Sequence, residues 1–379
     1  MPHFTTADGV RLHFARFGNP SPEAPRLLLL SPSATTIADL QPLISGPGGV
    51  AKLDREFACL MLDYRGIGSS SKPGEPKPWP APSLSIYVDD VIELLHHVGW
   101  RDCHIVAFSF GAAVAQEMLL RTPSLYSAGR AFTARRVLLV CPAADLDAEG
   151  TGAGSYPLHA LLDLEVEQRA ERMLFLADTR RGWDWFDSDM GAAAMHYMRG
   201  VEERLRETPG ALEGRKFQYL ARKEAVTCDR LAVATGGAME APAAAESVGS
   251  PAVAAQTNAG LAESGRLLAS CNAQSGNGPP LYEEAAIIGA VFDAIAPPAA
   301  VKRLHASLRG SQLLWFASGH WPTPARECPG LFSSAAIAFL RGHPCPAAVL
   351  EASAEAETQI PARGTWCVPC SGGGECVIL

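Results

Sequence analysis

Four short apolar runs do most to limit what this chain can fold into. They are RLLLLS (Arg26–Ser31), FACLML leading into Asp63, CHIVAF (Cys103–Phe108) and RRVLLVCPAAD (Arg135–Asp145). The first is bounded by Pro and Ser, and the second ends in a Gly-rich turn at Gly66 and Gly68. Continuous apolar runs of this length read as strands buried on both faces. Between the second and third lies SIYVDDVIELLHHVGW, with Ile86, Val91, Leu94, Leu95 and Val98 on one side and Gly99 as a stop, so it is an amphipathic helix. The third run passes straight into GAAVAQEML, a second helix. Strands that alternate with helices imply an α/β fold, a mainly parallel sheet covered on both faces. At the start, HFTT and VRLHFARF flank Asp8-Gly9, a turn signal that predicts a hairpin.

The strand pattern lapses from about Leu146 to Val226, where three segments have helical spacing. Residues 232–278 are rich in Ala, Gly, Ser and Asn and poor in aromatics, a composition that cannot bury enough surface to offset chain entropy. Strands return at EEAAIIGAVFD and QLLWFASGH, and CPGLFSSAAIAFLRG closes the core as a helix. The expected organisation is a core in two parts, 1–145 and 279–343. Between them come a helical cap, 146–231, and a disordered insertion, 232–278. After Pro344 the chain shows no apolar periodicity, so 344–379 is expected to be a flexible tail.

The formal net charge is -8, so no basic field invites nucleic acid. No basic segment followed by an apolar one opens the chain, and no apolar run approaches the ~18 residues of a membrane span. The 10 cysteines are scattered, with Cys59, Cys103 and Cys141 in or beside strand-like runs; this is reduced, cytosolic usage rather than a disulfide framework. No residue pattern calls for a metal or a cofactor.

The third run ends at Ser109. A strand that stops at a serine and turns sharply into a helix lifts the Ser Oγ above the sheet edge, where the helix N-terminus favours developing negative charge. Gly111, Ala112 and Ala113 let the strand and helix backbones approach. Ala-Phe-Ser-Phe-Gly around Ser109 resembles the G-x-S-x-G nucleophile elbow of the α/β-hydrolase family, with Ala107 in place of the first Gly. GAVFDAIAPP resembles that family's acid loop and LLWFASGHWP its histidine loop, and the chain order Ser, acid, His is the family's own. The resemblance spans about Phe4–Gly342 without the insertion. It implies an α/β-hydrolase fold with a cap and a triad of Ser109, Asp293 and His320. Asp145, after the preceding strand, is the runner-up acid. The resemblance speaks against epoxide hydrolases and haloalkane dehalogenases, which have Asp where this chain has Ser109.

One stretch departs from the family. LLSPSATT puts Ser31-Pro32 where His-Gly is usual, which leaves the backbone N–H of Ser33, with that of Phe110, as the expected oxyanion donors. Asp63 and Arg65 in DYRGIGSSS match a family turn with a structural part to play.

The chain closes on ECVIL. Cys376 stands fourth from the end, before two aliphatic residues and Leu379, which is the C-a-a-X prenylation pattern, and a terminal Leu favours geranylgeranyl. One lipid anchors weakly, so a second signal is expected. Because the tail is not basic, Cys367 and Cys370 in WCVPC are the acylation candidates. A zinc or redox pair is the rival reading of these two cysteines. The expected protein is a cytoplasmic serine hydrolase tethered to a membrane surface, acting on small-molecule or lipid carboxylic esters. A proline-iminopeptidase-like peptidase, with Glu165 and Glu167 receiving a free amine, is one alternative. A non-catalytic binding protein of the same fold is the other.

Overall fold

The computed structural model describes residues 2–45, 52–75, 78–129, 132–144, 158–180, 185, 187–223, 228–235, 281–320, 322–360, 367–368 and 377–378. The strands β1 (His3–Thr5) and β2 (Arg11–Gly18) form the expected hairpin, with Phe4 opposite Leu12 and Gly9 at φ +90° in the turn. The apolar runs become β3 (Arg26–Leu30), β4 (Ala58–Leu62), β5 (Asp102–Phe108) and β6 (Thr133–Val140), followed by β7 (Tyr282–Ala290) and β8 (Gln312–Phe316). The eight strands run in the order β1-β2-β4-β3-β5-β6-β7-β8. From β4 to β8 every neighbouring pair is parallel, while β2 is antiparallel to both β1 and β4.

The two-residue period of a strand divides each apolar run between two cores. On one face, Leu28, Leu30, Ile105 and Ala107 pack with α2 (Leu84–His97) and α3 (Phe110–Ser127). On the other, Leu27, Leu29, Val106 and Phe108 pack with α1 (Ile37–Ile44) and α10 (Pro329–Arg341). Burial on both sides is why these runs carry no polar alternation, and each enclosed Leu or Ile contributes roughly 1.5–3 kcal/mol.

The cap comprises a 3₁₀ turn at Leu158–Asp163, α4 (Val166–Ala177), α5 (Asp189–Glu207), α6 (Ala211–Lys223) and α7 (Cys228–Thr235). Among the described residues of this region there is no strand. Two contacts press α6 onto the core. Gly214 meets Gly66 backbone to backbone so closely that a Cβ on either would collide with the other. Gln218 accepts the N–H of Ala34 at 2.8 Å. The core is completed by α8 (Pro298–Ser307) and α9 (Thr323–Glu327).

Two expected boundaries move. Residues 232–235, expected to open the insertion, belong instead to α7, because Ala232 is buried there and the Thr235 hydroxyl donates to the Ser307 carbonyl. Residues 236–278 lie outside the described residues. The tail is not loose from Pro344 onward, because α11 (Ala347–Thr358) docks on β8. Val349, Ser353 and Ala356 form its buried stripe at helical spacing, and Ser353 Oγ accepts the Trp315 N–H of the edge strand at 2.8 Å. The stripe is short and made of small residues, which hides it from an apolar-periodicity reading. Cys367 falls in a two-residue strand paired with Val377–Ile378, whereas Cys370 and Cys376 lie outside the described residues.

Candidate active site

The site begins where β5 ends. Ser109 sits at φ +51°, a left-handed conformation that costs a non-glycine residue on the order of 1–3 kcal/mol. It is held there on both sides: its N–H donates to the Val140 carbonyl at 3.0 Å, and its own carbonyl accepts from Ala112 and Ala113, opening α3. Gly111 is required because a Cβ there would strike the Leu30 carbonyl of β3. Ala107 in place of the family glycine is fully buried, and the elbow forms around it.

The structure brings Ser109, His320 and Asp293 together. Ser109 Oγ lies 2.8 Å from His320 Nε2, and His320 Nδ1 lies 2.6 Å from Asp293 Oδ2. The other carboxylate oxygen of Asp293 accepts the N–H groups of Ile295 at 2.8 Å and Ala296 at 2.9 Å, which fixes its plane. Asp293 is fully buried and His320 is 5 % exposed. The C-terminal end of α4 joins both loops to the cap: Ala177 accepts the His320 N–H, Leu176 accepts the Ala294 N–H, and Thr179 donates to the Phe292 carbonyl. Gly319 is needed because a Cβ would meet the Ala177 carbonyl. Asp145 lies outside the described residues. Cys141, just after β6, places its Sγ within 4.8 Å of the reactive atoms of Asp293 and His320.

Ser33 lies across from the serine in the turn after β3, lining the same cavity. In that turn Ala34 gives its N–H to Gln218, and Thr35 gives its own to the Pro32 carbonyl. Among the described residues nothing accepts the N–H of Ser33 or of Phe110. Ser31-Pro32 thus leaves the Ser33 N–H, like that of Phe110, without an acceptor among the described residues. Asp63 and Arg65 stay out of the cavity. Asp63 accepts from Ile37, Ser69 and His13, and Arg65 pairs with Asp90 and Asp8.

The cavity over Ser109 measures about 70 Å³ and has a polar wall that the sequence reading missed. Glu202, Arg215, Tyr219 and Arg222 all line it. Glu202 is fully buried between Arg169 Nε at 2.6 Å and Arg215 Nη1 at 2.6 and 2.7 Å, and Arg215 also donates to the Tyr219 hydroxyl at 2.7 Å. Burial pulls the Arg215 pKa down, but Tyr219 and Glu202 more than offset it and the net shift is upward. The signal was available: Arg215, Gln218, Tyr219 and Arg222 recur at i, i+3, i+4 and i+7, a polar stripe on one helix face. In a cap helix such a stripe points to a site wall. A second cavity of about 210 Å³ shares Tyr197, Met198 and Pro322 with the first.

The amine-binding expectation for Glu165 and Glu167 is corrected. Both are exposed, and Glu167 pairs at the surface with Arg199. They lie on the first turn of α4, away from the cavity.

The chain has the α/β-hydrolase fold. The α/β-hydrolase fold family matches it over residues 47–128, which end just past α3. Among solved structures it resembles the enol-lactonase from Burkholderia xenovorans LB400, with a TM-score of 0.60 and 17 % identity over 90 % of this chain and 100 % of that one. It resembles the meta-cleavage product hydrolase from Pseudomonas fluorescens IP01, with a TM-score of 0.58 and 17 % identity over 90 % of this chain and 98 % of the other. A carboxylesterase from Nitrososphaera gargenis aligns with a TM-score of 0.55 and 14 % identity, over 84 % of this chain and 91 % of that one. No curated protein matches the sequence.

Proposed function

We propose that the protein is a serine hydrolase of carboxylic esters. The observation that carries this reading is the unbroken hydrogen-bond line from Ser109 Oγ through His320 to Asp293. With Nδ1 protonated toward Asp293, His320 Nε2 accepts the Ser109 proton as Oγ attacks the ester carbonyl. The N–H groups of Ser33 and Phe110 stabilise the oxyanion, a contribution of about 3 kcal/mol per donor. His320 then protonates the leaving alcohol, leaving an acyl group on Ser109. A water attacks that carbonyl, giving its proton to His320, and the acid departs as the proton returns to Ser109 Oγ. The likeness to a lactonase and to a carboxylesterase supports carbonyl–oxygen bond cleavage. The small cavity suits a short acyl group better than a long lipid chain.

The same reading disfavours an aminopeptidase. The acidic group on the cavity wall, Glu202, already has its charge balanced by two guanidiniums, which disfavours an approaching ammonium. A panel of p-nitrophenyl esters of rising chain length beside aminoacyl-naphthylamides tests this: acetate to butyrate esters are cleaved and the amides are not. Cleavage of the naphthylamides alone supports the peptidase, and inertness toward both supports a binding protein.

The membrane tether is a separate proposal, carried by the C-a-a-X pattern at Cys376, with Cys367 or Cys370 as the second lipid site. No helix among the described residues is long and apolar enough to cross a membrane.

A further inference from the structure

We propose that the cavity over Ser109 takes a short ester or lactone carrying a carboxylate, with Arg222 as the anchor for that charge. This rests on the hydrolase reading above and names its substrate class. Arg222 lines the cavity from α6 and is 9 % exposed. Among the described residues it has no hydrogen bond and no ion pair. Of its neighbours along the helix face, Arg215 is committed to Glu202 and Tyr219, and Gln218 accepts the Ala34 N–H through Oε1 while its Nε2 has no partner among the described residues.

An unpaired cation inside a protein is costly, because it gives up hydration and receives no counter-charge. Burial pulls the Arg222 pKa below its usual range, opposed by Tyr219 and Asp293. A guanidinium nonetheless stays protonated and keeps its fork of donors. Among the described residues the buried guanidiniums of Arg169 and Arg215 are both paired with the buried Glu202, whereas Arg222 has no carboxylate at ion-pair distance, the Asp293 charge acting on it without a direct contact. Among the described residues, Arg222 is thus a cavity-lining cation whose donors have no acceptor. A carboxylate on the substrate satisfies the fork in a bidentate contact and restores the balance. An ammonium in the same place meets like charge. The modest cavity limits the substrate to a compact one, in which the carboxylate and the scissile carbonyl lie a few bonds apart.

The test separates binding from turnover. Monomethyl glutarate and dimethyl glutarate are titrated calorimetrically into the full chain carrying Ser109→Ala. The proposal expects the carboxylate ligand to bind at least tenfold tighter than the neutral diester. Arg222→Gln in the same background erases that preference, and Arg222→Lys keeps part of it. Equal binding of the two ligands, binding of neither, or a preference that survives Arg222→Gln overturns the proposal. If Arg222→Gln does not fold, as read by circular dichroism, the ligand pair on Ser109→Ala and on Arg222→Lys still decides. In the chain with Ser109 intact, mono-4-nitrophenyl glutarate is compared with its methyl ester. The ratio of their kcat/KM values is expected to exceed ten and to collapse in Arg222→Gln; a merely structural residue would lower both values and leave the ratio. Turnover of both esters without preference defeats the carboxylate subsite alone. Carboxylate-selective binding with no turnover of either ester defeats the hydrolase reading alone.

Discussion

At the residue scale, three side chains carry the proposed chemistry and their environments differ. Ser109 is held by backbone strain, Asp293 by two N–H donors, and His320 by the contact of its own N–H with the cap. Ser109→Ala and His320→Ala are each expected to lower kcat on a short ester by about 10⁴-fold or more, with unchanged circular dichroism. Asp293→Asn is expected to cost about 10⁴-fold, because the amide holds the wrong imidazole tautomer. Retained activity in Asp293→Asn would move the acid role elsewhere. A different histidine is expected to make the stability of the fold depend on acid pH. His104 Nδ1 accepts the Arg136 N–H at 3.3 Å, which requires a neutral ring, and burial with the Arg136 charge lowers its pKa from 6.5 to about 4. Between those values the unfolded chain binds a proton that the folded chain refuses. This contribution to stability is therefore present above pH 6.5 and is lost as pH falls toward about 4. Urea unfolding across that window should show a shallower pH dependence in His104→Gln than in the parent chain; parallel curves would show that His104 contributes nothing.

At the element scale, the helices and strands that position the site differ in how openly the sequence declares them. The central strands were legible because burial on both faces demands unbroken apolar runs, and the elbow was legible because Ser109 and Gly111 interrupt one of them. The acid and histidine loops were found through motif order, since no periodicity marks Asp293 or His320. The wall of α6 was missed because its buried face is polar, and an apolar-stripe reading assigns Arg215 and Arg222 to solvent. The docking of α11 was missed for the opposite reason, since Ser353 and Ala356 are too small to register as core. Residues 236–278 have a composition that carries little apolar surface. Replacing them with a short Gly/Ser linker between α7 and β7 is expected to leave thermal stability and esterase activity close to those of the full chain, because loop-closure entropy changes slowly with length. The cut must spare Ala232 and Thr235, which pack and hydrogen-bond in α7. Loss of soluble protein after this deletion would show that the segment packs on the core.

At the scale of the whole molecule, the cap is packed onto the core because α4 is tied to the loops bearing Asp293 and His320 while α6 is pressed onto the turn at Gly66. The proposed tether lies at the far end of the chain, beyond α11, so location and chemistry are expected to vary independently. After cell fractionation, the wild-type protein is expected with membranes and Cys376→Ser in the soluble fraction, with equal activity on a water-soluble ester. Cys376→Ser that still sediments with membranes would remove the lipid reading and leave the hydrolase untouched. The central claim is that Ser109 is a nucleophile activated by His320. Its most direct test is intact-mass and peptide mapping after reaction with a fluorophosphonate. A single phosphonyl adduct on Ser109 is expected, absent in Ser109→Ala and strongly slowed in His320→Ala. An unlabelled wild-type protein, or an adduct that persists in Ser109→Ala, would contradict it.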